Sequence, residues 1–86
     1  MTKTEIQLLA IHRSPVALLS DICDRYLGIN VQTARLKAVK HALPFPVFRP
    51  EADSSRSPWM VKLTDLAAFL DARGEACAKE WQHSQL

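Results

Sequence analysis

Residues 20–41 read SDICDRYLGINVQTARLKAVKH, and this stretch decides the fold. Ser20 is a natural N-cap, and Asp21 beside it suits the positive end of a helix dipole. Ile22, Cys23, Tyr26 and Leu27 follow at i, i+1, i+4 and i+5, a single apolar stripe. Gly28 stops that helix, because glycine adopts positive φ without strain. Ile29 plugs the bend, Asn30 is a second N-cap, and the spacing predicts a helix from Val31 to about His41. Helix, three-residue turn, helix is the layout of a helix-turn-helix.

Projected at helical period, the second helix has two faces. Val31, Ala34, Ala38 and Ala42 cluster on the inner one, with Val39 and Leu43 beside them. Thr33, Lys37, Lys40 and His41 lie opposite, with Gln32 at the margin. Arg35 falls inside the apolar arc, so its guanidinium must snorkel to an edge or the helix must sit rotated. Leu36 falls toward the polar side. The small alanines let this helix approach its neighbour closely.

Outward from this core the chain reads as follows. Thr2 and Glu5 form a capping box for a first helix ending near His12, with Ile6, Leu9 and Ala10 inward. Ser14-Pro15 ends it, and residues 15–19 are an extended connector. Downstream, Phe45, Val47, Trp59, Val61 and Leu63 alternate at period two, predicting a two-stranded ribbon over 45–62. Pro44, Pro46 and Pro50 confine its first strand to an edge. Glu51 to Ser57 is a polar tip. Thr64 caps a last helix carrying Leu66, Phe69 and Leu70, with Trp59 anchoring the ribbon to it, and Gly74 closes it. Residues 1–74 thus form one domain and 75–86 a helix-compatible tail whose large apolar group, Trp81, needs a groove or a partner.

Charge is concentrated in the middle. Residues 30–62 carry six basic side chains against two acidic ones; residues 1–29 balance, and residues 63–86 hold two basic against four acidic. A cationic helix followed by a cationic ribbon is the footprint of a protein that docks on phosphate backbones. Gln32 and Thr33 stand in the first turn of the second helix, where a glutamine amide can pair with adenine and a threonine methyl can meet thymine. Arg35, Lys37 and Lys40 can reach guanine or phosphate. Arg49, Arg56 and Lys62 give the ribbon its grip on the backbone. Contacts to phosphate set register, and only the few helix side chains can choose sequence.

Other chemistries lack their residues. Eighty-six residues with two glycines offer no phosphate loop. His12, His41, His83, Cys23 and Cys77 lack metal-ligand spacing, and the cysteines form no CxxC pair, so free thiols are expected. Asp21 and Asp24 beside Arg25 read as solvated surface groups, not a catalytic pair. No apolar run approaches a membrane span, and the N-terminus lacks the features of a signal peptide. The expectation is a non-enzyme of the cytoplasm and nucleoid, without metal, cofactor or small-molecule substrate. Its partner would be double-stranded DNA, with self-association or binding to tandem sites to enlarge the footprint.

The segments Asp21-Ile22-Cys23, Leu27-Gly28-Ile29-Asn30, Thr33 to Lys40, Ala42-Leu43-Pro44-Phe45-Pro46-Val47-Phe48-Arg49 and Val61 to Arg73 together resemble the pyocin activator (PrtN-like) family of small prophage-associated regulators. More distantly, the layout is similar to the winged helix-turn-helix proteins of the MerR and excisionase group. The resemblance implies a mainly α fold with a small β-hairpin, a recognition helix at 31–41 and a wing at 45–62. It also implies an activator of bacteriocin or prophage genes that works with RNA polymerase. Two rivals share the charge pattern: an excisionase-type DNA-bending protein, and an anti-repressor module that binds another protein.

Overall fold

The computed structural model describes residues 2–51, 53–54 and 56–85. Of the expected ribbon tip, Ala52 and Ser55 lie outside the described residues. The chain is mainly helical with one small antiparallel sheet. Helix α1 (Lys3–His12) leads into strand β1 (Val16–Leu18) and the short helix α2 (Leu19–Ile22), which continues as a π-helical segment, Cys23–Leu27. Helix α3 (Val31–Val39), strand β2 (Met60–Lys62) and the long helix α4 (Leu63–Gln85) complete it.

Several local expectations hold. The Thr2 hydroxyl accepts the Glu5 N–H at 3.1 Å, capping α1. Gly28 takes φ 67° and ends the second helical stretch, its N–H bonded to the Cys23 carbonyl. Asn30 caps α3, its side-chain oxygen accepting the Thr33 N–H at 2.8 Å. Ala34 and Ala38 are fully buried and let α3 sit close to the rest of the core, where Ile22, Cys23, Val61 and Leu66 are also sealed from solvent. Phe45 is buried too, its ring edge-on to Phe69 with centroids 5.3 Å apart.

The sheet differs from the ribbon expected over 45–62. β2 pairs with β1, Val16 opposite Lys62 and Leu18 opposite Met60. The segment read as a connector is thus a strand. On the other side of β2 the expected first ribbon strand shrinks to one bridge, Phe48 with Met60, closed by bonds of 2.9 and 2.7 Å. The reason is donor supply. Pro44, Pro46 and Pro50 cannot donate, whereas Val16-Ala17-Leu18 contains no proline and can form a full ladder. The ladder extends at both ends, Leu19 N–H to the Trp59 carbonyl and Leu63 N–H to the Pro15 carbonyl, each at 2.9 Å. These bonds also explain why α2 and α4 begin at Leu19 and Leu63, not behind caps at Ser20 and Thr64.

Two helices also differ in extent or face. On α1, Leu8 is buried and Leu9 half-buried, while Ile6 and Ala10 face solvent. α3 ends at Val39, and His41 beyond it takes φ 54°. Gly74 does not close α4. It stays right-handed within the helix, which runs on through Glu75, Ala76, Ala78, Lys79 and Glu80. A glycine costs a helix interior about 1 kcal/mol relative to alanine, and those good helix formers offset it. α1 packs against the first half of α4 in antiparallel sense: Thr4 donates to Asp71 at 2.6 Å near one end, and Pro15 meets Leu63 near the other.

Candidate nucleic-acid interface

α3 presents its side chains in an order set by the buried pair Ala34 and Ala38. The residues opposite that pair point furthest out: Gln32, Leu36 and Val39, with Leu36 64% and Val39 65% exposed. The outermost ridge is therefore one amide and two aliphatic groups. Val39, expected beside the inner face, is outside. Arg35 and Lys37 lie two residues and about 200° apart, on opposite flanks of the helix. Lys40 is exposed at the C-terminal end, and Thr33 is half-buried with its N–H engaged by the cap.

Arg35 does not need to snorkel. It stands on the edge of an open cleft of about 290 Å³ between the α2–α3 pair and the loop preceding β2. Arg49 and Arg56 come from that loop and line the same cleft, together with Ser20, Ser57 and Trp59. Three arginines, well separated along the chain, thus line one cleft. No acidic side chain is among the described lining residues. Such a surface, with two hydroxyls added, is built to attract an oxyanion, and guanidinium geometry suits phosphate especially well.

The three arginines are held differently. The Arg49 guanidinium carbon lies 4.9 Å from the Trp59 ring centroid, a cation–π contact worth about 0.5–1 kcal/mol at an exposed site. Its Nη1 donates to the Ser54 carbonyl at 3.5 Å. Trp59 is half-buried, packed on the core beneath and presenting a face to Arg49. Arg56 is exposed on a loop folded by its own serines: Ser57 Oγ accepts the Glu51 N–H at 3.1 Å, and Ser54 Oγ accepts the Arg56 N–H at 3.3 Å. Arg35 is exposed and free to reach.

Of the eight residues singled out in the sequence, the structure brings Arg35, Arg49 and Arg56 together. Gln32 stands beside them on the outer ridge of α3. Lys37 and Lys40 belong to the other flank and the far end of that helix. Lys62 is exposed at the distal end of β2, opposite Val16 and outside the cleft lining. The sequence reading set Leu36 toward the polar side, where it lies, but missed Val39 as an outward group, because it centred the buried arc one position too far toward Val39. It also missed Ser20, whose hydroxyl looked committed to capping.

Among the described residues, no group of three or more His, Cys, Asp or Glu side chains could hold a metal ion. No described helix is long and apolar enough to cross a membrane. Cys23 is a buried thiol and Cys77 an exposed one.

Comparison with known proteins agrees with the segments quoted from the sequence. The family model described as pyocin activator protein PrtN matches residues 4–77, most of the chain. The chain belongs to that family, which is one of regulatory activators and not of enzymes. No curated protein and no solved structure gives a significant match.

Proposed function

We propose, taking that family membership as the premise, that this chain is a winged helix-turn-helix protein that binds duplex DNA and activates bacteriocin or prophage genes. The observation that carries the reading is the cleft in which Arg35, Arg49 and Arg56 converge beside α3 with no carboxylate among its described walls. In this reading α2 and α3 are the helix-turn-helix, and the Phe48–Trp59 segment, tethered at β2, is the wing. α3 lies in the major groove with its outer ridge toward the bases. Gln32 pairs with adenine, and Leu36 and Val39 pack on thymine methyls, the apolar contact that groove offers. One phosphate strand passes through the arginine cleft. Lys37 and Lys40 meet the opposite strand, and Lys62 adds a more distant backbone contact. An activator at a promoter also has RNA polymerase as a partner, and the setting is the bacterial cytoplasm.

Footprinting on DNA upstream of bacteriocin and prophage genes, paired with a promoter reporter, tests this. A protected site within a promoter that the protein switches on is the expected result. Protection without activation, accompanied by a strong bend, would favour the excisionase-type reading. A second reading draws on Leu36 and Val39 themselves. Two exposed aliphatics on one ridge suit a protein surface as well as thymine methyls, so an anti-repressor docking through α3 is the alternative. It predicts no DNA binding even at low salt.

A further inference from the structure

The body-facing side of α4 does not stop where the body stops. Leu63, Ala67 and Leu70 pack toward the core, and at the same 4-3-4-3-4 spacing Gly74, Cys77 and Trp81 continue that face. From Asp71 onward nearly every described residue of the helix is exposed, Trp81 at 65%. A Cβ built on Gly74 would meet nothing within 4 Å. The molecule is 52 Å long but only 16 Å in its thinnest direction, and about 35 Å of helix in α4's 23 residues accounts for much of that length. An unsupported helical overhang is a puzzle. Isolated helices shorter than about 12–15 residues are marginal in water, and this one contains a glycine.

We infer that the overhang is covered by the same helix of a second copy, running antiparallel. The residues are self-complementary only in that sense. With Gly74 opposite the partner's Cys77, each Trp81 falls over the partner's Leu70, so each large ring closes one end of a seam whose centre is small. The close centre and bulky ends fit one another, as ridges fit grooves. The flanking charges agree. Arg73 and Glu80 border the seam on the same side, and antiparallel pairing sets each Arg73 against the partner's Glu80, making two ion pairs by symmetry. Parallel pairing would set each Arg73 beside the partner's Ala78 and each Glu80 beside its Gln85, with no opposite charge to meet, and would stack Trp81 on Trp81. In the single chain Arg73 merely leans on Cys77, 3.7 Å away, and Glu80 has no ion-pair partner among the described residues. This inference stands apart from the reading of the arginine cleft, which it neither needs nor supports.

Sedimentation equilibrium of the full chain, with a reductant present so that Cys77 forms no disulfide, tests it. The parent should be dimeric at micromolar concentration. Trp81→Ala should raise the dissociation constant about tenfold or more, the loss of a buried aromatic anchor at each end. Gly74→Lys serves as a variant expected to keep the fold, since the site is open in one chain and lysine is the better helix former; it should be monomeric with undiminished helix content. Arg73→Glu and Glu80→Arg should each weaken the dimer, and the double swap should restore it. A parent that stays monomeric, a Trp81→Ala dimer as tight as the parent, or a double swap no better than the singles would each overturn the proposal.

Discussion

Replacing Arg35 and Arg56 together by alanine removes two of the three cations lining the cleft. Both side chains are exposed, so the change leaves no buried cavity and no unpaired buried group, and the fold should be intact. Arg49 is left in place because its contacts with Trp59 and Ser54 tie it to the loop's own structure. Each cation that neutralises a phosphate adds about 0.9 to the slope of log affinity against log salt, so the double variant should lose about 1.8 from that slope. Over a fourfold rise in salt, the variant's affinity should then fall about twelvefold less than the parent's. Fluorescence anisotropy on a random-sequence duplex, repeated across salt concentrations, measures both slopes. Lys79→Ala is the control: it removes one positive charge from the exposed far half of α4, where Lys79 pairs with Glu75 at 3.9 Å. Parallel lines for the double variant and the parent would refute the cleft as a phosphate seat. So would an equal loss per charge in the Lys79 variant, since the effect would then be net charge and not geometry.

Gln32→Ala should narrow the preference for the cognate site over random duplex by about 1–3 kcal/mol, and an unchanged competition ratio would remove Gln32 from the readout. Asn30→Ala should cost about 1 kcal/mol in urea denaturation through the lost cap on Thr33 N–H; an unshifted midpoint would show the cap to be idle. Gly28→Ala meets no atom within 4 Å, so its cost should be that of a left-handed backbone alone, about 1–2 kcal/mol, and a larger loss would point to a clash. Ala38→Leu crowds a fully buried contact and should destabilise by about 1–3 kcal/mol in the same denaturation, whereas a neutral outcome would mean that the α3 contact is looser than its burial indicates.

How much of this was legible in the sequence varies by element. The turn at Gly28 and the cap at Asn30 were readable because each depends on one residue's own backbone or side chain. The buried alanines were readable because the helix period carries them. The sheet was not, because strand pairing is a long-range choice. Period-two alternation located β2 correctly but could not say which edge would find donors. The three prolines that demoted the 45–50 segment were noticed; the competitor at Val16 to Leu18, three residues beside a proline, was too short to signal itself. Gly74 shows the opposite error. Glycine ends a helix only when the backbone turns left-handed there, and nothing local distinguished Gly74 from Gly28 except the helix formers that follow it. For the site, the sequence named the cations but could not show their grouping. Arg35, Arg49 and Arg56 line one cleft, and Lys62 does not, for reasons that live in the sheet.

The sheet also decides what kind of cleft this is. A wing attached only at its base would let Arg49 swing relative to α3. Here the start of β2 holds both sides at once: the Trp59 carbonyl takes the Leu19 N–H at the head of α2, and the next residue, Met60, exchanges two backbone bonds with Phe48, the neighbour of Arg49. α2 in turn shares a core with α3 through Ile22 and the buried alanines. Arg49 is thus tied to the helix bearing Arg35 by main-chain bonds and a packed core, with Trp59 beneath its guanidinium. The backbone origins of the two arginines are therefore fixed relative to one another before any ligand arrives, which spares binding part of the entropy of arranging them. Arg56 is the exception. It stands on a loop held by serine side chains, not by the ladder. In the DNA-binding reading proposed above, a cleft with two cations of fixed backbone origin and a third farther out on the same loop would demand a particular placement of the nucleic-acid backbone while still adjusting to the local spacing of its phosphates.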